Sequence, residues 1–222
     1  MISTRGYAGV NIDFEGGLPE DRDLYSDFLR FLRDRIRPRG LVLTVAVPAK
    51  TGEDIPWWRG YDFGAIGSVV DYMFLMAYDW HHLASEPGPV APINGVRQTI
   101  EFSLEHVARN KILLGIPFHS YDWTLPYRPG SPVRAISSQQ AVRLAIRHQV
   151  PIEYSEEYKS PFFYYTDEQG QRHVVWFEDV RSLMEKGLLI RQYQLGGLGT
   201  WQLALSIAQA TSMLRSNVIK VT

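Results

Sequence analysis

Three apolar runs, at residues 41–47, 69–78 and 111–117, limit the architecture of this chain more than any other feature. Strands this evenly apolar are buried on both faces, and such strands belong to parallel sheets covered by helices. The segments between them supply the helices. Leu24, Phe28, Phe31, Leu32 and Ile36 form the apolar stripe of one, with Arg30, Arg33, Asp34 and Arg37 outward. Pro19, Glu20 and Asp21 open it, and Pro38 and Gly40 stop it. A polar loop with Trp57 and Trp58 follows the first run, and residues 61–67 hold a short helix. Val96, Ile100, Leu104 and Val107 mark a second amphipathic helix. Strand, helix, strand in succession is a βα repeat with parallel strands.

The rhythm changes after His119. Ser137 and Gln140 make a capping box for a helix reaching about residue 148. Tyr154 and residues 162–165 and 174–177 read as short antiparallel strands, with a turn at 167–170. A helix over 178–194 then resumes the first pattern, at a cost of about 1 kcal/mol for Gly187 inside it. Residues 198–201 supply a last strand and 204–214 a last helix. The expected organisation is therefore 1–119, an α+β insertion at 120–175, and a remainder at 176–222.

Composition narrows the function. A net charge of −1 over 222 residues leaves no electrostatic footprint for nucleic acid or an anionic membrane. No cysteine is present, so disulfides and thiolate metal sites are excluded. His81 and His82 are adjacent, with no further ligand at metal spacing, so no metal is expected. No run is long enough to span a bilayer, and no apolar leader opens the stretch.

The chemistry points to residues 9–15, Gly-Val-Asn-Ile-Asp-Phe-Glu. In a strand Val10, Ile12 and Phe14 fall on one face and Asn11, Asp13 and Glu15 on the other. Gly16, Gly17 and Pro19 end it at once, placing two carboxylates at the strand's C-terminal mouth. In a parallel barrel that mouth is where reactions occur.

This segment resembles the strand-four signature of the family 18 glycoside hydrolases, an acidic run ending in Asp-x-Glu. Gly9, Asp13 and Glu15 match it, while Ala8 and Asn11 stand where that family usually carries further aspartates. The form is most similar to the branch acting on peptidoglycan in spores and cell walls. Three further landmarks follow in the family's order: Met-Ala-Tyr-Asp at 76–79, an insertion after strand seven, and Trp201 in Gly-Leu-Gly-Thr-Trp.

The resemblance implies a (β/α)8 TIM-barrel-type α/β fold, incomplete here, with strands four to eight only and the α+β insertion between strand seven and its helix. A closed barrel takes ~250 residues, whereas the chain without its insertion has room for about five βα units. A fragment of a longer enzyme, self-association through the open sheet edges, and a persisting partial barrel are the three readings of that shortfall.

The resemblance also implies a mechanism without cofactor or metal. The substrate's own acetamide attacks the anomeric carbon, so the protein needs one proton donor and groups that hold the acetamide. Glu15 is the expected acid, and the charge of Asp13 beside it favours a retained proton. Asp13 would take the acetamide N–H, Tyr78 its carbonyl, and Asp79 and Asn11 would line the subsite. Trp201 would floor the sugar, and Tyr121, Asp122 and Trp123 would contact it from the segment after strand seven. Hydrolysis of peptidoglycan, hydrolysis of chitin, and glycan binding without cleavage are the readings to separate. The family suggests a spore or cell-envelope location.

Overall fold

The computed structural model describes residues 5–205, so all but the first two residues of the helix expected at 204–214 lie outside the described residues, and those two belong to a 3-10 turn, Leu203–Leu205. Two five-stranded sheets make up the fold. The first is parallel and holds the acidic segment. Its strands are β1 (Gly9–Ile12), β2 (Val42–Pro48), β3 (Tyr72–Met76), β4 (Ile112–Pro117) and β10 (Gly197–Trp201). They pair in the order β1-β2-β3-β4-β10, so the sheet curls without closing: β1 and β10 are its two edges. The result is a half-barrel.

The helices between these strands are α1 (Arg22–Ile36), α2 (Phe63–Val69), α3 (Ile93–Leu104) and α5 (Val180–Tyr193). The core lies between them and the sheet, around Leu29, Leu43, Val45, Ile66, Met73, Leu75, Ile100, Ile112, Leu114 and Ile190. Arg33 of α1 grips Asp71, just before β3, through both guanidinium nitrogens, and Leu43 N donates to the same carboxylate (2.8 Å). Burial works to raise the Asp71 pKa, but these bonds outweigh it and hold the carboxyl below its ordinary value.

The second sheet is antiparallel, in the order β6-β5-β9-β8-β7. It comprises β5 (His119–Leu125), β6 (Val133–Ser137), β7 (Glu153–Ser155), β8 (Ser160–Thr166) and β9 (Arg172–Trp176), with α4 (Ser138–Arg147) against one face. The capping box is present: Gln140 N donates to Ser137 Oγ and Ser137 N to the Gln140 side chain. The strands expected at 154, 162–165 and 174–177 correspond to β7, β8 and β9. Strands β5 and β6 were not foreseen, because β5 alternates between two buried faces and carries His, Ser and Asp among its aromatics.

Two expectations need correction. The acidic strand ends at Ile12, so Asp13, Phe14 and Glu15 follow it rather than belong to it, and Phe14 is 56% exposed. In the α1 stripe, Leu24 and Phe31 are exposed at 70% and 55%. Helix α1 packs against β2 and α2 near the sheet edge, where β2 is the sole strand partner of β1 among the described residues, so part of its stripe faces outward.

A buried ion pair ties α5 to the segment that leads into it from β9, Lys186 Nζ donating to Glu178 Oε2 at 2.8 Å, with both side chains essentially unexposed. Burial pushes the Glu178 pKa up, and Lys186 opposes that shift. Removing one partner of such a pair costs about 3–5 kcal/mol, whereas replacing both is often near neutral. Lys186→Met should therefore lower urea-unfolding stability by about that amount. Adding Glu178→Gln should restore most of it. At Asp71 the native carboxyl holds its proton less firmly than the unfolded one, so its stabilisation is complete above the ordinary carboxylate range. It is lost as pH falls below about 4. Asp71→Asn should flatten the acid limb of a stability-against-pH curve.

Candidate active site

Parallel pairing brings the C-terminal ends of all five strands of the first sheet to one side, and a cleft of about 990 Å³ opens there. Asn11, Asp13, Glu15, Tyr78, Asp79 and Trp201 all line it. Six of the nine residues expected at the site therefore share one cavity, although they come from the ends of three strands separated along the chain.

Asn11 is still on β1, and its side-chain oxygen accepts from Thr44 Oγ1 of β2 at 2.8 Å. Asp13 and Glu15 sit on the turn beyond, exposed to the cleft. That turn is fixed by Tyr61, whose hydroxyl donates to Phe14 O (2.8 Å) and accepts from Gly17 N (3.3 Å). Phe14 stacks on Phe28 of α1 with ring centroids 5.6 Å apart. The segment bearing the carboxylates is thus tied at its backbone while both acids stay open to the cavity.

Tyr78 reports how closely the charges converge. Burial pushes its pKa up first, and the charges of Asp79, Asp13 and Glu15 push it further. Tyr61 is raised as well, by burial first and then by Glu15 and Asp13, against a lowering by its hydrogen bond from Gly17 N. Both phenols therefore remain neutral hydrogen-bond donors throughout the physiological range. One neutral donor among three carboxylates can bind an amide from both ends: its carbonyl at Tyr78, its N–H at an acid. Among the described residues no three His, Asp or Glu side chains converge as metal ligands.

The three remaining residues behave differently. Tyr121 stands outside the cavity lining, but its hydroxyl donates to Asp79 Oδ1 at 2.9 Å. Asp122 points to the opposite face of the second sheet. It is 1% exposed and accepts from Arg134, Tyr165 and His173. Trp123 is fully buried, its indole N–H donating to Ser85 O at 3.0 Å. Neither Asp122 nor Trp123 reaches the cleft: strand alternation along β5 sends Asp122 away, and the loop after Asp79 covers Trp123.

Sequence reading missed His119. Its Nε2 lies 2.7 Å from Asp79 Oδ1, the oxygen that Tyr121 also bonds, and its ring packs edge-on to Tyr78 at 5.7 Å. The available signal was position, since His119 ends a buried apolar run as Tyr78 and Asp79 end another. His82 also lines the cleft, whereas His81 Nδ1 bonds Glu86 O at 2.9 Å.

Comparison with known proteins gives a consistent result. The sequence pattern described as "Glycosyl hydrolases family 18" matches residues 1–205. The "Putative sporulation-specific glycosylase YdhD" of Bacillus subtilis is 57% identical over 97% of this chain and 51% of its own length. The cortical fragment-lytic enzyme of Bacillus subtilis is 40% identical over 98% of this chain and 52% of its own. The chain thus spans about half the length of these relatives. The crystal structure of the Bacillus megaterium spore cortex-lytic enzyme SleL superposes with a TM-score of 0.92 at 35% identity, covering 100% of this chain and 51% of that one. A chitinase from Chromobacterium violaceum superposes with a TM-score of 0.92 at 31% identity, covering 99% and 69%.

The His119–Asp79 contact is open to direct measurement. A double-mutant cycle of His119→Ala and Asp79→Asn, read by urea unfolding, should give a coupling of about 0.5–3 kcal/mol. Additive losses would mean that the contact carries no energy.

Proposed function

The chain belongs to family 18 of the glycosyl hydrolases, and from that premise we propose that it hydrolyses β-1,4 bonds following N-acetylglucosamine in spore-cortex or cell-wall peptidoglycan. The observation that carries this reading is the convergence of Glu15, Asp13, Tyr78, Asp79 and Trp201 in one cleft. Relatives named for cortex and sporulation support the substrate and a spore or cell-envelope location.

In this reading β1 to β4 and β10 are barrel strands four to eight. The segment at 120–175 is an insertion between strand seven and its helix α5, and 1–119 and 176–222 form the barrel part. The antiparallel sheet beginning at His119 and ending at Trp176 supports that division. Free edges at β1 and β10 are the surfaces through which a second copy would associate.

Glu15 gives its proton to the glycosidic oxygen as the C1–O bond breaks, and the sugar beyond leaves as a neutral alcohol. The acetamide carbonyl oxygen closes on C1 from the other face, forming a cyclic oxazolinium ion. Asp13 accepts the acetamide N–H and offsets the positive charge on that ring. Tyr78, neutral because of its burial and its carboxylate neighbours, donates to the acetamide oxygen and aims it. Asp79, held by His119 and Tyr121, borders the same subsite with Asn11, and Trp201 offers a flat face beneath the sugar. Water then adds to C1 while Glu15 takes its proton back. The acetamide reopens, and two displacements leave the configuration retained.

Chitin is the second substrate, favoured by the superposition on the Chromobacterium violaceum chitinase. Glu15→Gln should cut turnover by ~10²–10⁴-fold on cortical muropeptide strands, as loss of a general acid does. Unchanged turnover would remove Glu15 from the reaction. Product analysis by mass spectrometry with both substrates ranks peptidoglycan against chitin, and saturable binding without product would identify a glycan-binding protein instead.

A further inference from the structure

A net charge of −1 conceals a separation of charge along the parallel sheet. Asp13, Glu15 and Asp79 line the cleft at the C-terminal ends of the strands. The opposite end is basic. Residues 30–39 hold five arginines, at 30, 33, 35, 37 and 39, against one acid, Asp34. Arg37–Arg39 form the 3-10 turn leading into β2, and Lys111 directly precedes β4, so these cations sit where the strands begin.

Helix ends account for part of this charge, since cations complement the dipole at a C-terminus. Lys111 Nζ serves the end of α2 in that way, donating to Gly67 O (2.8 Å) and Val70 O (3.0 Å). Arg30 and Arg33 have carboxylate partners in Asp27 and Asp71. Three arginines remain. Among the described residues the side chains of Arg35, Arg37 and Arg39 make no ion pair or hydrogen bond, and all three are exposed. The Arg35 guanidinium carbon lies 4.0 Å from the centroid of the Phe31 ring, a contact that holds the charge without neutralising it.

The surface is not flat. A hollow of about 420 Å³ opens where α1, the end of α2 and Lys111 meet, and its charged lining is Arg30, Arg33, Arg37 and Lys111 against Asp34 and Asp71. Two of these cations are held in place, Arg33 by Asp71 and Lys111 by its two carbonyls. The Lys111 ammonium keeps a third N–H to give. Arginine's planar fork matches a carboxylate through two parallel hydrogen bonds. Peptidoglycan carries carboxylates on its stem peptides, and an acidic mouth repels them. A cationic face at the far end supplies the attraction that the mouth lacks.

We propose that this arginine-rich end of the half-barrel anchors the chain to the stem-peptide carboxylates of peptidoglycan. Arg37 and Lys111 take one carboxylate in the hollow, and Arg35 and Arg39 take others beside it. The wall is a network, so a chain held at its basic end can still work on a strand at its acidic end. The inference rests on the glycan reading of the cleft and adds how the chain stays on an insoluble, anionic polymer.

The test is co-sedimentation of the intact chain carrying Glu15→Gln, which keeps the wall undigested. The probes are insoluble peptidoglycan, the same material with its carboxylates amidated, and chitin. Native peptidoglycan should bind the chain most tightly, and roughly 0.5 M sodium chloride should abolish the excess over the other two. Arg35→Gln, Arg37→Gln and Arg39→Gln together should weaken binding to native peptidoglycan about tenfold and leave binding to chitin unchanged. Lysine at the same three positions should keep most of the binding. The salt and amidation arms need no change at the arginines, so they decide the question even if the glutamine variant unfolds. Equal binding to native and amidated peptidoglycan, or a glutamine variant that binds like its parent, would overturn the anchoring surface. So would retention by long-chain polyphosphate with none by peptidoglycan. The glycan reading is tested separately, by cleavage of soluble muropeptides with the unsubstituted chain.

Discussion

Phe118 alone separates β4 from β5, and this short passage from the parallel to the antiparallel sheet governs what surrounds the cleft. Because so little chain intervenes, β5 leaves the mouth of the first sheet directly, and its side-chain alternation is set by where β4 ends. His119, Tyr121 and Trp123 face the loops that follow β3, while Ser120 and Asp122 face α4 and the strands beneath it. A shift of one residue would exchange the two sets and leave Asp79 without either bond. Phe118 N donates to Trp201 O at 2.7 Å, so the same junction also positions the strand end that carries Trp201.

Asp79 illustrates what such support accomplishes. Its backbone has φ of 61°, in the left-handed region that aspartate tolerates better than most residues. That conformation turns the chain sharply out of β3, so that consecutive residues Tyr78 and Asp79 both reach the cleft. Hydrogen bonds with His119 and Tyr121 hold one oxygen of its carboxylate. The second sheet acts as a brace for the acidic mouth of the first, and its own interior is closed by Asp122 with Arg134, Tyr165 and His173. Asp122 has a scaffolding role, one residue away from Tyr121, whose hydroxyl holds Asp79.

Most of the parallel sheet was legible because β2, β3 and β4 read as unbroken apolar runs, although the burial on both faces expected of such runs is not met: Thr44, Ala46, Phe74, Met76 and Leu113 line the open cleft. Tyr78 and Asp79 were legible as polar residues that terminate such a run, whereas residues 9–15 were read from their strand alternation and their likeness to the family signature. The limits are equally physical. Strand β5 hides behind polar residues whose burial is satisfied by partners far along the chain, which no local pattern reveals. His119 is one of these, and its role exists only through Asp79, 40 residues earlier. Asp122 and Trp123 looked like Tyr121 in the sequence, but alternation and loop cover separate them in space. Leu24 and Phe31 were read as core because periodicity shows which residues share a face, and cannot show whether a neighbour covers it.

The exposed groups on that edge are not scattered. Phe14, Leu18, Leu24 and Phe31 all belong to the stretch from the acidic turn through α1. They flank β1, an edge strand that is neither bulged nor guarded by lysine, the usual defences against unwanted pairing. Phe14 sits within this apolar margin and inside the segment whose backbone Tyr61 restrains. Its ring packs against Tyr25 and Phe28, and Tyr25 meets Tyr61 edge-on, so the exposed margin and the turn holding Asp13 and Glu15 share one aromatic cluster. The packing of this edge and the chemistry of the acidic turn are therefore one problem, coupled through a single phenylalanine between the two carboxylates.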